Sequence, residues 1–508
     1  MIFRLLTPFN FLVSIIGKKI TKVVAILILL IAISVGIRVF LIFLRVNPTT
    51  DEVWLYLYTK ASFKEIWLSS LSEWHAPFYF IFAKAISLLS PNGLNIIFYR
   101  FLSLLFGVLA NFGIWYLASM VLGKRIGLIA LVLSLFLPAF IWSAIYARYY
   151  SFLILLTILN FIFFIKFLRA KSVRYLVLIL LISTIGIYTH YYFSFLLVSF
   201  SLFLLIVEEY RFIFKKWILA VSAILVLLIP LIYYFVILPK PGDVWLVNHF
   251  LKIPLTVLTN LVSWELLIYL YYWGNSLFYY PLLIVLWVVS LILLFLALNG
   301  WKNNYWILFL LTSLIPPVIA IFVSYTYKPF FALGSLQIFL PPLIILLAKG
   351  IDNDLKKTKV FSLIFIVTLF FSLIFFYQSS ASYQTPREDY GFLLDNYKSG
   401  DIVLHSNINS FMQSKYYLGN DVNFGIIDTV SASPQAEHAL KYTIVSQDTL
   451  LAGRNRIWYF EPWFENRDEL RVTKRFLDSN LRLLDEKNFS TQQKNQPSLF
   501  NVYLYVTK

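Results

Sequence analysis

Apolar residues in this chain come in long blocks, not in the alternation of a half-buried strand. Runs with almost no charge occupy 23–44, 97–121, 126–145, 150–168, 175–189, 191–207, 217–238, 280–299, 304–324, 332–349 and 359–378. Most approach the roughly 20 residues that cross a bilayer core as a helix. A backbone in lipid must satisfy its own hydrogen bonds, so these blocks predict a polytopic helical membrane protein of about eleven spans.

One further apolar stretch, 76–90, is short, carries Lys84 and ends in Ser-Pro-Asn-Gly, a turn signal. Loop charge decides how to treat it. Lys124 and Arg125, the Lys166–Arg174 cluster, Arg211 to Lys216, Lys302 and the Lys349–Lys359 cluster fall in alternate loops. The opposite loops between the same spans hold only Arg148, Lys240, Lys252 and Lys328. The basic set is expected on the cytoplasmic side of a plasma (inner) membrane, as is the N-terminus with Lys18, Lys19 and Lys22. Both ends of 46–95 must then lie outside, so 76–90 reads as a juxtamembrane or re-entrant helix. The N-terminus runs from apolar to basic, the reverse of a cleavable signal, so the first span is expected to stay as an anchor.

Beyond residue 378 the periodicity changes. "GDIVLHS", "NRIWYFEPW" and "SLFNVYLYV" alternate like strands, and "NRDELRVTKRFLDSNLRLLDEKNF" reads as an amphipathic helix. The fold class is therefore all-α polytopic in 1–378, followed by a small extracytoplasmic α/β domain in 379–508.

Composition sharpens this picture. The 508 residues are 60% hydrophobic and 13% charged, with mean hydropathy +0.78. The net charge of +17 does not point to nucleic acid, because the basic residues sit in short loops between spans. Without cysteine there is no disulfide, thiolate metal site or cysteine nucleophile.

Ionisable groups are rare within the runs. Arg38 stands out in the first, as a snorkelling residue or a partner for acids, and His190 sits at a span end. Ion-coupled transport needs charge near the bilayer midplane, whereas here polar groups gather at the expected outer rim. The rim collects "TTDEVW" at 49–54, "EWHAPFY" at 73–79, "IYARYYSF" at 145–152 and "YTHYYFSF" at 188–195. A cluster of this kind points to chemistry at a membrane surface.

In order, an acidic pair, a His-x-Pro-aromatic segment, an Arg-x-Tyr and a Thr-His-Tyr on one face resemble the GT-C membrane glycosyltransferases. The likeness covers roughly residues 23–350 and is nearest to the dolichyl-phosphate-mannose protein mannosyltransferase-like branch, which includes the lipid A aminoarabinose transferases. Such enzymes move a sugar from a polyprenyl-phosphate carrier to an acceptor on the outer side. The resemblance implies Asp51 as general base, with Glu52 orienting it or binding acceptor. It implies Arg148 at the donor phosphate and His75 framing the site. Tyr150 and Lys328 are further candidates for phosphate binding, and Tyr149, His190 and Glu265 for substrate contacts. His190 also has a plain structural reading, a hydrogen bond at the turn between two spans.

The chemistry is self-consistent. A carboxylate takes a hydroxyl's proton as it attacks, a guanidinium receives the phosphate, and one-step displacement inverts the anomeric centre. The sequence departs from the family at three places: Tyr146 where an acid is usual, Ala76 between His75 and Pro77, and "ALGSLQIFLPP" without the usual Arg-Tyr. A flippase or exporter of lipid-linked glycan, or an inactive GT-C partner subunit, is the alternative. Expected partners are the lipid-linked sugar, the bilayer and a glycolipid, polysaccharide or protein acceptor. No spacing demands a cofactor, although Asp51, Glu52 and His75 could supply ligands to a divalent metal.

Overall fold

The computed structural model describes residues 18–45, 47–90, 94–238, 292, 295, 298, 304–326, 337–382, 387–405, 408–419, 422–426, 434–441, 443–445, 456–462, 472–489 and 500–507. Glu265, Lys328 and all of the apolar run at 280–299 except 292, 295 and 298 lie outside the described residues.

The chain begins with α1 (Lys18–Leu44). Three short helices follow, α2 (Thr50–Tyr58), α3 (Phe63–Ser72) and α4 (Phe78–Ser87). The bundle then runs through α5 (Ile96–Leu122), α6 (Lys124–Phe136), α7 (Pro138–Ile145), α8 (Tyr150–Ala170), α9 (Val173–Thr189) and α10 (Ser194–Ile206). It continues with α11 (Phe214–Leu227), α12 (Ile229–Ile237), α13 (Asn304–Thr326), α14 (Leu340–Lys357) and α15 (Val360–Ser382).

This is a multi-pass membrane fold. Among the described residues, four helices are long and apolar enough to cross a bilayer: Val24–Leu44, Ile96–Leu122, Tyr150–Ala170 and Asn304–Ser324. Two bent pairs raise the number to six if each is one span. With ten residues, α4 reaches about 15 Å, half of a bilayer core. It cannot span, and α1 ends where α5 begins, at one end of the bundle.

The expected run 126–145 is a broken helix. Pro138 ends α6, and α7 leaves at 59°. Proline has no N–H, so the carbonyl of Ser134 loses its i+4 donor. Arg38 supplies replacements. Its Nη1 donates to the carbonyl of Leu135 at 2.9 Å, and its Nη2 to that of Ser134 at 3.4 Å. Ser34 Oγ also donates to Leu135 at 2.8 Å. Arg38 is 1% exposed, so the structure corrects both earlier readings of it. It neither snorkels nor meets the acids; it satisfies backbone exposed by the break. On the other side, Gly107 lets α7 approach α5, because a Cβ there would lie 2.6 Å from that of Ala144. The turn after α7 is thereby laid against α5.

The C-terminal region contains α16 (Arg387–Asn396), β1 (Ile402–His405), α17 (Ile408–Leu418), β2 (Asn423–Ile426), α18 (Pro434–Leu440) and β3 (Thr443–Ile444). After these come β4 (Arg456–Pro462), α19 (Val472–Asn480), β5 (Leu481–Phe489) and β6 (Phe500–Thr507). Strand order is β3-β2-β1-β4-β6-β5, parallel from β3 to β4 and antiparallel beyond. The expected helix over 466–489 is corrected at its end: among its described residues Val472–Asn480 is helical, whereas Leu481–Phe489 pairs with β6. Pairing with a neighbouring strand overrides the local helical period there.

This α/β region sits on the short helices. From α17, Gln413 Nε2 donates to the Pro48 carbonyl at 3.3 Å and to Thr50 Oγ1 at 3.4 Å, and Tyr417 OH donates to Asn47 Oδ1 at 2.7 Å. The rings of Tyr416 and Tyr56 meet edge to face at 5.2 Å. From α18, His438 Nδ1 lies 2.9 Å from Glu65 Oε1.

Candidate active site at the bundle rim

The site starts from the first turn of α2. Thr49 and Glu52 form a reciprocal cap: Thr49 Oγ1 accepts from the Glu52 N–H, and Glu52 Oε2 accepts from the Thr49 N–H at 3.0 Å. Successive helical residues diverge by about 100°, so Asp51 and Glu52 face different ways.

Glu52 faces inward. Arg100 meets it with two parallel contacts, Nε to Oε1 and Nη2 to Oε2, both 2.7 Å. The Ala147 N–H donates to Oε1 at 2.9 Å. Burial pushes this carboxyl up, but Arg100, Arg45 and the Ala147 N–H together hold it below the usual range. Glu52 is 1% exposed with both oxygens engaged, which corrects its reading as an acceptor-binding group. It ties α2, α5 and the Arg148 turn into one piece. Arg100 was missed from sequence, although a guanidinium in the second turn of an apolar helix calls for a buried partner.

Asp51 faces the other way, and half of its side chain is exposed. Its Oδ1 accepts from Arg148 Nη2 at 3.2 Å, and Tyr150 OH lies 3.5 Å from Oδ2. The Arg148 turn is held by its neighbours: its N–H donates to the Tyr146 carbonyl at 2.8 Å, and Ser103 Oγ donates to its carbonyl at 3.2 Å. The guanidinium stands 5.5 Å from the Phe80 ring and 5.3 Å from that of Tyr149. Burial opposes its charge, yet the Asp51 carboxylate holds its pKa above the ordinary guanidinium value. Among the described residues, two of its buried nitrogens, Nε and Nη1, have no hydrogen-bond partner. Buried donors of this kind call for an acceptor.

Two histidines complete the rim. Trp74, at φ 62° in the left-handed region that bulky residues rarely adopt, turns the chain between α3 and α4. The next residue, His75, stands 5.7 Å from the Trp54 ring and 5.8 Å from that of Phe80. His190 ends α9 and stands 5.2 Å from the Tyr149 ring. Burial pushes each down to about 3, with the Arg148 charge adding to the effect on both.

Asp51, His75, Arg148, Tyr149, Tyr150 and His190 thus converge at one end of the bundle. Lys84 does not join them; its Nζ donates to the Thr59 carbonyl at 2.9 Å, at the end of α2. With Glu52 committed to Arg100, the expected metal set reduces to Asp51 and His75. Among the described residues, no three His, Asp or Glu side chains gather to hold a metal.

The whole architecture has known counterparts. The ArnT structure from Cupriavidus metallidurans in the apo state superposes with a TM-score of 0.59 at 12% identity, covering 95% of this chain and 98% of that one. ArnT from the same organism bound to undecaprenyl phosphate gives 0.58 at 12% identity, over 94% and 98%. The chain has the GT-C fold. The fold expected from the motifs over residues 23–350 is borne out, and the structural match extends beyond them into the C-terminal region. Residues 74–235 match the family model described as dolichyl-phosphate-mannose-protein mannosyltransferase, a stretch that holds His75, Arg148, Tyr149, Tyr150 and His190. No curated protein matches the sequence.

Proposed function

We propose that this chain is an inverting glycosyltransferase that takes a sugar from a polyprenyl-phosphate carrier. The observation that carries the reading is Arg148: 2% exposed, paired with Asp51 through one nitrogen, and left with two buried donors. An anionic phosphate oxygen fits those donors. The carrier chemistry is supported by the ArnT fold, one example of which holds undecaprenyl phosphate.

The proposed reaction uses these groups in turn. An acceptor hydroxyl attacks the anomeric carbon, and its proton passes to a carboxylate oxygen of Asp51. The bond from that carbon to the phosphate oxygen breaks, and the electron pair leaves with the phosphate toward Arg148. A positive charge already in place needs no reorganisation as the leaving group's charge develops. Attack and departure on opposite faces invert the anomeric centre. Asp51 is the base because it is half exposed; Glu52 acts only through position. We place this rim on the extracytoplasmic side, on the loop-charge asymmetry.

An exporter would need a polar route through the bundle. Asp51 and Arg148 pair directly at the rim, 3.2 Å apart, and in the enzyme reading the donor phosphate takes over part of this contact as it binds.

The test is release of polyprenyl phosphate by the purified chain, given a panel of polyprenyl-phosphate sugars and a membrane extract as acceptor. One sugar should be consumed, and Asp51→Asn should abolish turnover while sparing donor binding. If no donor reacts, or the Asn variant keeps pace, the catalytic reading fails.

A further inference from the structure

His190 does two things at once, and the first constrains the second. It sits between α9 and the 3-10 turn Tyr191–Phe193, and it caps that turn: its Nδ1 accepts from the Tyr192 N–H at 3.2 Å. A backbone N–H occupying the Nδ1 lone pair leaves no room for a proton there. An imidazolium, a donor at both nitrogens, cannot make this cap, and a flipped ring would offer a carbon instead. The ring is therefore neutral, with its one hydrogen on Nε2. No partner for Nε2 occurs among the described residues, and His190 is only half-buried. The Tyr149 ring lies against both groups, 5.2 Å from the His190 ring and 5.3 Å from the Arg148 guanidinium.

We propose that His190 holds a fixed Nε2–H donor for the phosphoryl oxygen bound at Arg148. This rests on the reading of the site given above and adds a second, uncharged contact to it. Arg148 brings charge, whereas His190 brings direction, because its tautomer is set by a backbone cap before any ligand arrives. Its pKa, pushed down to about 3 by burial with the Arg148 charge adding to the effect, keeps the donor in one form across the working pH range. A phosphate bound between a guanidinium and this N–H would have one of its oxygens oriented, leaving the sugar free to turn toward Asp51.

The test uses the full chain in detergent micelles with nitrogen-labelled histidine. Five histidines are present, and the His190 resonances are those lost in His190→Asn. They should report Nδ1 unprotonated and Nε2 protonated at pH 7, and should move on adding undecaprenyl phosphate but not undecaprenol. If the phosphate is lipid-borne, inorganic phosphate leaves them in place; if it is free, inorganic phosphate moves them too. An Nδ1–H tautomer, an imidazolium, or resonances unmoved while the lipid phosphate binds would overturn the proposal.

Two variants give a second readout. His190→Asn keeps an acceptor for the Tyr192 N–H but removes the outer donor; His190→Gln carries an amide N–H near the Nε2 position. A hydrogen bond to a charged group is worth enough that Asn should weaken undecaprenyl phosphate binding about 10-fold or more, with donor KM rising and kcat little changed. Gln should recover much of that loss. Equal binding by Asn and wild type refutes the His190 role alone. A wild-type chain that does not distinguish undecaprenyl phosphate from undecaprenol refutes the phosphate site itself, and the proposed function with it.

Discussion

Glu52 and Arg100 meet through two parallel 2.7 Å contacts, each side chain 1% exposed. Arg100 Nη1 also donates to the Ile42 carbonyl at 3.2 Å, and its Nη2 to that of Asn47 at 3.2 Å. One ion pair thus fastens the end of α1, the start of α2 and the Arg148 turn to α5. Asp51 and Arg148 occupy the places that this knot allows.

Removing one partner of such a pair leaves a buried charge. Glu52→Ala should cost about 3–5 kcal/mol, seen as a lowered unfolding midpoint in detergent. The double variant Glu52→Leu with Arg100→Met should recover much of that stability, since apolar pairs of similar volume replace buried ion pairs well. Activity should not recover with it, because the Ala147 N–H loses its acceptor and the Arg148 turn is released. Recovery of turnover in the double variant would show that the pair does not position the site.

The sequence made the spans, the acidic loop and the Arg148 segment visible, because lipid imposes long apolar blocks and leaves charge conspicuous. It also held a sign of the Glu52 role that hydrophobic patterning passed over. Thr49-Thr50-Asp51-Glu52 and Ser62-Phe63-Lys64-Glu65 both have capping-box spacing, and both boxes form. That spacing commits the last acid of each to backbone and separates Glu52 from Asp51. The role of Arg38 was not legible, since it depends on a carbonyl 96 residues away that a proline has freed. Nor was β5, whose strand conformation comes from β6 and not from its own alternation.

The seat of the α/β region on α2 gives a second test. Gln413 and Tyr417 bond to Asn47, Pro48 and Thr50, immediately before Asp51. Tyr417→Phe removes one hydrogen bond, worth about 1 kcal/mol. Combined with Gln413→Ala it should lower kcat several-fold and speed amide hydrogen exchange in 47–52. Exchange left unchanged there would mean that the bundle alone holds α2.

Stability should depend on pH with a definite sign. His75 and His190 are both pushed to about 3 in the folded chain, against an ordinary 6.5. Between those values the unfolded chain takes up protons that the folded chain refuses, so stability falls as pH drops from about 6.5 toward 3. Above about pH 7 both states are neutral at these rings, and the contribution is flat. Unfolding midpoints measured from pH 7.5 to 4.5 should show this slope, and His75→Gln should flatten it in part. A variant with the wild-type slope would remove His75 from the account.

The break between α6 and α7 offers a cycle in which stability and activity should part. Arg38→Leu strands the carbonyl of Ser134 and leaves that of Leu135 to Ser34 alone, and an unmet buried acceptor costs about 1–3 kcal/mol. Pro138→Ala restores a backbone N–H to Ser134, so in that background Arg38→Leu should cost less. The coupling between residues 38 and 138 should therefore be favourable and measurable by unfolding midpoint. Pro138→Ala alone should keep or raise stability while lowering turnover, because a straighter helix carries the Arg148 turn away from Asp51. Full activity in a stable Pro138→Ala chain would mean that the 59° bend does not aim the site.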